Sequence, residues 1–297
     1  MYGRRRVRLH DAPAFAGAQA GGEELMRLFI EHRTQYQFSR PASRLVQLLR
    51  MTPPSFDGQA VIDWHVEVDC DARIKRSRDG YGNEIGMLYV DGPIDRIALT
   101  VGGEVLTEDR AGMVVGAPEP LPLQLFLRQT AQTKPDAAIT GFARDVAEST
   151  ADPLSRLHAL CGGINRHIRF DAGDGNPDRD AGIAFAEGHG VCQDHAHIFI
   201  AAARVLGHPA RYVSGHLWRS DGATVQPAAH AWAEAYIEGY GWIGFDPANG
   251  ISPTEAYVRV AIGLDYHDAA PVAGARMGGG EESMHVEVLV AQAGQTQ

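Results

Sequence analysis

Apolar and polar residues alternate along the first third of the chain. Ala60, Ile62, Trp64, Val66 and Val68 are interleaved with Val61, Asp63, His65, Glu67 and Asp69. A period of two predicts a strand with one buried face. Leu28 and Ile30 alternate in the same manner, so the first structured element is placed at Met26. Short strands are predicted at 85–90, 94–101 and 105–108, with Gly102-Gly103 as a hairpin turn between the last two. Asp79-Gly80 and Gly82-Asn83 supply further turn chemistry, because Gly and Asn tolerate positive φ. With no long helix before Pro118, this spacing predicts an antiparallel β-sandwich domain over residues 26–130.

The pattern changes after Pro120-Leu121-Pro122. Helices are predicted at 137–148 and 154–168, the second with Leu154, Leu157, Leu160 and Ile164 on one stripe. Asp152-Pro153 is its start signal, an N-cap followed by proline at the first helical position. Asp171 to Asp180 reads as a solvated loop, since it lacks the terminal Glu of a calcium-binding loop. A third helix is predicted from Cys192 to Leu206, with Cys192, Ala196, Phe199, Ala203 and Leu206 on one face. Gly207 and Pro209 end it. Strands follow at 210–218, 230–237 and 242–246, the last two joined by the turn Glu238-Gly239-Tyr240-Gly241. A strand near 257–262, a glycine-rich loop at Gly278-Gly279-Gly280 and a strand at 284–290 complete the chain.

Composition narrows the function classes. At 297 residues, with 44% hydrophobic and 22% charged content, the chain has room for two soluble domains. A net charge of −10 argues against nucleic acid, which needs clustered Lys and Arg. Arg4-Arg5-Arg6 is short and isolated, and residues 1–25 read as a flexible leader. The three cysteines, Cys70, Cys161 and Cys192, form no paired spacing, which argues against a disulfide framework and suits a reducing compartment. No stretch approaches the roughly 20 apolar residues of a membrane helix. The expectation is a cytoplasmic protein with no membrane or nucleic-acid partner.

The chemistry concentrates in Gly190-Val191-Cys192-Gln193-Asp194, which delivers a cysteine to a helix start. The thiolate is the nucleophilic form of cysteine, and a helix N-terminus and a neighbouring imidazolium both favour it. His230 opens a strand and Asp246 closes its partner, so a tight turn brings them together at one end of the sheet. The spacing leaves the register open. A nucleophile, a base and an orienting carboxylate are the parts of a Cys-His-Asp triad. Each residue also has a plain alternative: a lone buried Cys is commonly a small hydrophobe, and a strand His or Asp a satisfied polar group. His189, Cys192, His195 and His197 are dense enough to suggest a metal. However, 195 and 197 point to different helix faces, and no CxxC or HExxH pattern accompanies them. Neither a metal nor a cofactor is expected.

Four motifs in order, GVCQD, LGHPARYVSGHL, HAWAEAY and GWIGFDPANG, resemble the transglutaminase-like superfamily of predicted bacterial cysteine proteases. The resemblance runs from Met26 onward. It implies an α+β architecture: a papain-like, transglutaminase-like catalytic domain over 135–255 preceded by the β-rich domain. Residues 256–297 would add C-terminal strands packing on both. It also implies Cys192 as nucleophile, His230 as general base and acid, and Asp246 as orienting carboxylate, acting through a thioester acyl-enzyme. Tyr212 and Trp232 become candidate walls of the substrate pocket. Three positions depart from the pattern: His195 stands for an aromatic residue, Tyr257 for His and Leu264 for Arg. None of the three is expected to touch the triad. Amide or peptide hydrolysis, with a peptide or protein substrate as partner, is the leading function; transfer to an amine, or binding without catalysis on the same scaffold, are the alternatives.

Overall fold

The computed structural model describes residues 5–8 and 25–293. The first part of the chain gives β1 (Arg5–Arg8), β2 (Met26–Thr52), β3 (Gln59–Val68), β4 (Arg73–Arg78) and β5 (Glu84–Thr107). β2 and β5 are far longer than the alternation suggested, and together they organise the β-rich region. Leu28, Ile30, His32, Thr34, Tyr36 and Phe38 face inward along the first arm of β2, and Leu45, Gln47, Leu49 and Met51 along the second. The register shifts between Gln37 and Arg44 change which parity faces inward, so one face stays buried through the bend. The two arms share one apolar core, tied by Trp64 Nε1 donating to Met51 O at 3.0 Å. The two layers are therefore arms of one continuous antiparallel sheet.

Gly102-Gly103 is not a hairpin turn. Both glycines lie inside β5, opposite Glu31 and Ile30 on one side and His65 and Trp64 on the other. A Cβ on Gly102 would stand 2.2 Å from Ile30 O, and one on Gly103 2.0 Å from Asp63 O. Close backbone approach beside a bulge, not turning, requires glycine here. The predicted strands at 85–90, 94–101 and 105–108 are thus one strand. Arg5 and Arg6, expected in a solvated leader, belong to β1, which pairs antiparallel with the edge of β3. The rest of that expected leader lies outside the described residues.

The second part contributes β6 (Met113–Val114), α1 (Ala137–Ser149), α2 (Pro153–His167), β7 (Arg169–Phe170), α3 (Ala181–Glu187), β8 (His189–Gly190) and α4 (Cys192–Val205). There follow β9 (Ala210–Leu217), β10 (Val225–Gln226), β11 (His230–Ile237), β12 (Gly241–Phe245), β13 (Tyr257–Gly263) and α5 (Tyr266–Ala269). Asp136, Asp152 and Asp180 cap α1, α2 and α3 by accepting from the third backbone N–H. Among the described residues a five-stranded sheet runs β13-β9-β11-β12-β6. α4 is buried on every side from Gln193 to Arg204, because α1, α2 and α3 cover what the sheet does not. The single apolar face expected from its sequence understates this.

β14 (Val272–Gly278) and β15 (Glu282–Gln292) return to pair with β2. Two buried side-chain amides join the two sheets. Gln59 donates to Arg259 O at 2.9 Å and accepts from Arg259 N at 2.8 Å. Asn83 does the same for Ile262 O and N, both at 2.8 Å. Each amide supplies the donor and acceptor that a neighbouring strand would give β13.

Candidate active site

α4 begins under tight constraint. Its N-cap, Val191, has extended geometry and no side-chain acceptor. Asp194 reaches back instead, its Oδ2 accepting the Val191 N–H at 2.8 Å. Arg179 holds the same carboxylate through Nε (3.1 Å) and Nη2 (2.6 Å). Gly190 passes so close that a Cβ would lie 2.5 Å from Asp194 Oδ2 and 2.8 Å from Arg179 Nη2. The residue types of GVCQD thus fix the approach to Cys192, a half-buried free thiol.

His230 and Asp246 meet at one end of the sheet. β11 and β12 pair in the register Ala233↔Phe245 through Ile237↔Gly241, which carries the two side chains to the same sheet end. His230 Nε2 and Asp246 Oδ2 are 2.6 Å apart. Cys192 is near enough to the same imidazole to favour its charged form, and with Nε2 held by Asp246 the ring nitrogen free to take the thiol proton is Nδ1. Burial alone pushes His230 down. The Asp246 charge and hydrogen bond, with a smaller contribution from Cys192, overcome it and push His230 up to about 10. Burial likewise works against an ionised Asp246, but the His230 charge and the bonds from His230, Tyr257 and Asn249 hold its carboxyl below the ordinary value.

Asp246 is fully buried and takes five hydrogen bonds. Oδ1 accepts the backbone N–H groups of Ala248 (3.0 Å) and Asn249 (3.3 Å). Oδ2 accepts Asn249 Nδ2 (2.7 Å) and the Tyr257 hydroxyl (2.8 Å) besides His230. Tyr257 therefore touches the constellation, contrary to expectation. The reason is geometric: β13 pairs with β9, which pairs with β11, so Tyr257 stands two strands from His230, across β9. Asn249 and Tyr257 were both missed; DPANG carried the signal for the first, a turn folding back on its own carboxylate.

The remaining candidates take supporting places. Trp232 stacks on His230 with centroids 6.1 Å apart and meets Tyr257 edge-on at 5.4 Å. It lines a small cleft of about 60 Å³ with Phe56, Thr254, Tyr257 and Arg259. Tyr212 packs against His197 and Tyr266 behind Cys192. Both rings are only 2% exposed and back the constellation. Of the dense histidines, His189 Nδ1 faces Asp174, His195 lies between Val191 O and Ile168 O, and His197 Nε2 accepts from Tyr266 N. Among the described residues, no three His, Cys, Asp or Glu groups are arranged to hold a metal. None of the described helices is long and apolar enough to cross a membrane.

A charged cluster unseen in the sequence spans β9, β11 and β13. Glu234 is fully buried, bonded by Arg211 Nε (2.6 Å) and Arg259 Nε (2.8 Å). Burial opposes its ionisation, and the two guanidinium charges reverse that and lower its pKa. Arg211 also reaches Glu119 and lies over the Trp242 ring at 3.8 Å.

Residues 140–247 match the transglutaminase-like superfamily core, and residues 28–106 match the bacterial transglutaminase-like N-terminal region. The chain belongs to the transglutaminase-like superfamily. The superfamily core spans α1 to the end of β12, and so contains Cys192, His230 and Asp246. A Mycobacterium leprae protein without assigned function is 28% identical over 278 residues, covering 90% of this chain and 99% of its own. A Mycobacterium tuberculosis protein, also uncharacterised, is 27% identical over 278 residues, covering 84% of this chain and 87% of its own. A solved Cytophaga hutchinsonii structure, described as a candidate cysteine protease, superposes with a TM-score of 0.74 at 21% identity, covering 99% of this chain and 94% of that one. At that identity the likeness establishes the shared fold: a β-rich N-terminal region followed by a papain-like α+β domain.

Proposed function

We propose that this transglutaminase-like protein is a cysteine-nucleophile amide or peptide hydrolase. The observation that carries the reading is the short His230 Nε2–Asp246 Oδ2 contact of 2.6 Å, with the Cys192 thiol near enough to the same ring to favour its charged form. His230 takes the thiol proton and the Cys192 sulfur attacks the amide carbonyl carbon. The carbonyl oxygen then carries the negative charge, and in this proposal the Cys192 and Gln193 N–H groups of the first turn of α4 receive it. The imidazolium returns its proton to the leaving amine, the C–N bond breaks and a thioester remains. Water, deprotonated by His230, attacks the thioester; the acid leaves and the thiol is restored. Asp246 stays ionised and orients the ring throughout.

Cytoplasmic residence belongs to the same proposal and rests on the three free cysteines. The test is turnover of a peptide library by the wild-type chain and by Cys192→Ala. The wild type cleaves, with an acyl-enzyme mass trapped on Cys192, and the variant does neither while keeping its melting temperature. Turnover that survives Cys192→Ala rejects the proposal. Adding a labelled primary amine separates hydrolysis from transamidation, since only the latter incorporates the label.

A further inference from the structure

We infer that Tyr257 is a positioning residue whose hydroxyl, donating to Asp246 Oδ2, draws negative charge away from His230 and sets the pH at which the imidazolium releases its proton. The inference rests on the proposed triad and deepens it.

Three side-chain donors converge on one oxygen: His230 Nε2 at 2.6 Å, Asn249 Nδ2 at 2.7 Å and the Tyr257 hydroxyl at 2.8 Å. An anionic oxygen divides its charge among its donors, so each added donor weakens its hold on the others. The two non-histidine donors differ in kind. Asn249 is exposed and belongs to the turn that follows Asp246, where water can replace its amide. Tyr257 comes from β13, is 6% exposed, and is closed in by Trp232 and by the His230 ring at 5.8 Å. Its hydroxyl is therefore held by the packed sheet rather than by a solvent-facing turn.

The titratable groups facing the pair come from three further elements: Cys192 on α4, Tyr257 on β13 and Cys161 on α2. Burial and the Asp246 charge push the Cys161 thiol up to about 12, so it remains neutral. Burial and the same carboxylate also raise the Tyr257 phenol, which keeps its proton and remains a donor wherever the triad works. Without this donor Asp246 concentrates its charge on His230. The imidazolium then becomes harder to deprotonate and a weaker acid toward a leaving amine.

The experiment is the pH dependence of Cys192 alkylation by iodoacetate, followed by peptide mass mapping. The reagent's carboxylate is drawn to the imidazolium, so the rate falls when His230 loses its proton. Tyr257→Phe keeps the ring and its packing and removes the hydroxyl. It is expected to move the alkaline limb up by about half a pH unit, about threefold in proton affinity, the size of one hydrogen bond. Site-specific 3-fluorotyrosine at 257, a stronger donor of nearly the same shape, is expected to move the limb down. It carries the test alone if Tyr257→Phe does not fold. Limbs that superimpose on the wild type, or move with the opposite signs, overturn the inference; a purely structural role would lower the melting temperature and leave the limbs in place. A wild-type profile with no alkaline limb would instead reject the triad itself, so the two failures are distinguishable.

Discussion

Arg179 and Asp194 form a two-point ion pair directly beneath the nucleophile, with Nε–Oδ1 at 3.1 Å and Nη2–Oδ2 at 2.6 Å. Arg179 is 5% exposed and Asp194 fully buried, so neither charge has water to fall back on. Arg179→Ala leaves Asp194 as an unpaired buried carboxylate at the end of α4 that carries Cys192. The expected cost is about 3 kcal/mol in denaturant unfolding, with slower alkylation of Cys192.

Gly190→Ala probes the same corner by volume. Its methyl would lie 2.5 Å from Asp194 Oδ2 and 2.8 Å from Arg179 Nη2, both locked in the ion pair. The expected loss is about 1–3 kcal/mol by the same measurement. Gly207→Ala has open space around it and costs only the strain of its positive φ.

Acid should loosen the joint between the two sheets. His32 on β2 and His216 on β9 stand edge to face with centroids 5.7 Å apart. Burial lowers them to about 4 and about 3, with the His32 charge adding to the effect on His216. Both folded-state values lie below the ordinary 6.5, so the stability these neutral rings contribute is complete above pH 6.5 and is lost as pH falls toward 4. Each contributes a slope of about 1.4 kcal/mol per pH unit across that window. Urea midpoints at pH 7, 6 and 5 are expected to fall for the wild type, and less steeply for His32→Gln/His216→Gln.

Cys192, His230 and Asp246 could be picked out from sequence because residue type, order and place at element ends all mark them. The architecture was readable where the signal is local: Asp152-Pro153 opens α2, and His230–Ile237 is the strand expected at 230–237. What escaped depends on pairing. Gly102-Gly103 looks like a turn until Ile30 and Asp63 press on it from two neighbouring strands. α3 is too short for a helical stripe to stand out. Tyr257 reaches Asp246 only through the register of three strands, and Glu234 looks like a surface residue until Arg211 and Arg259 close over it.

Catalysis by this site requires that His230 activate Cys192. The direct measurement is the rate of iodoacetamide labelling at each cysteine at pH 7, by peptide mass mapping, in the wild type and in His230→Ala. Burial and neighbouring carboxylates push Cys70 up to about 11 and Cys161 up to about 12, so both are expected to react slowly. Cys192 is expected to label first and by at least about tenfold, with that advantage lost in His230→Ala. Labelling of Cys192 that is slow, unselective or indifferent to His230→Ala would contradict that activation.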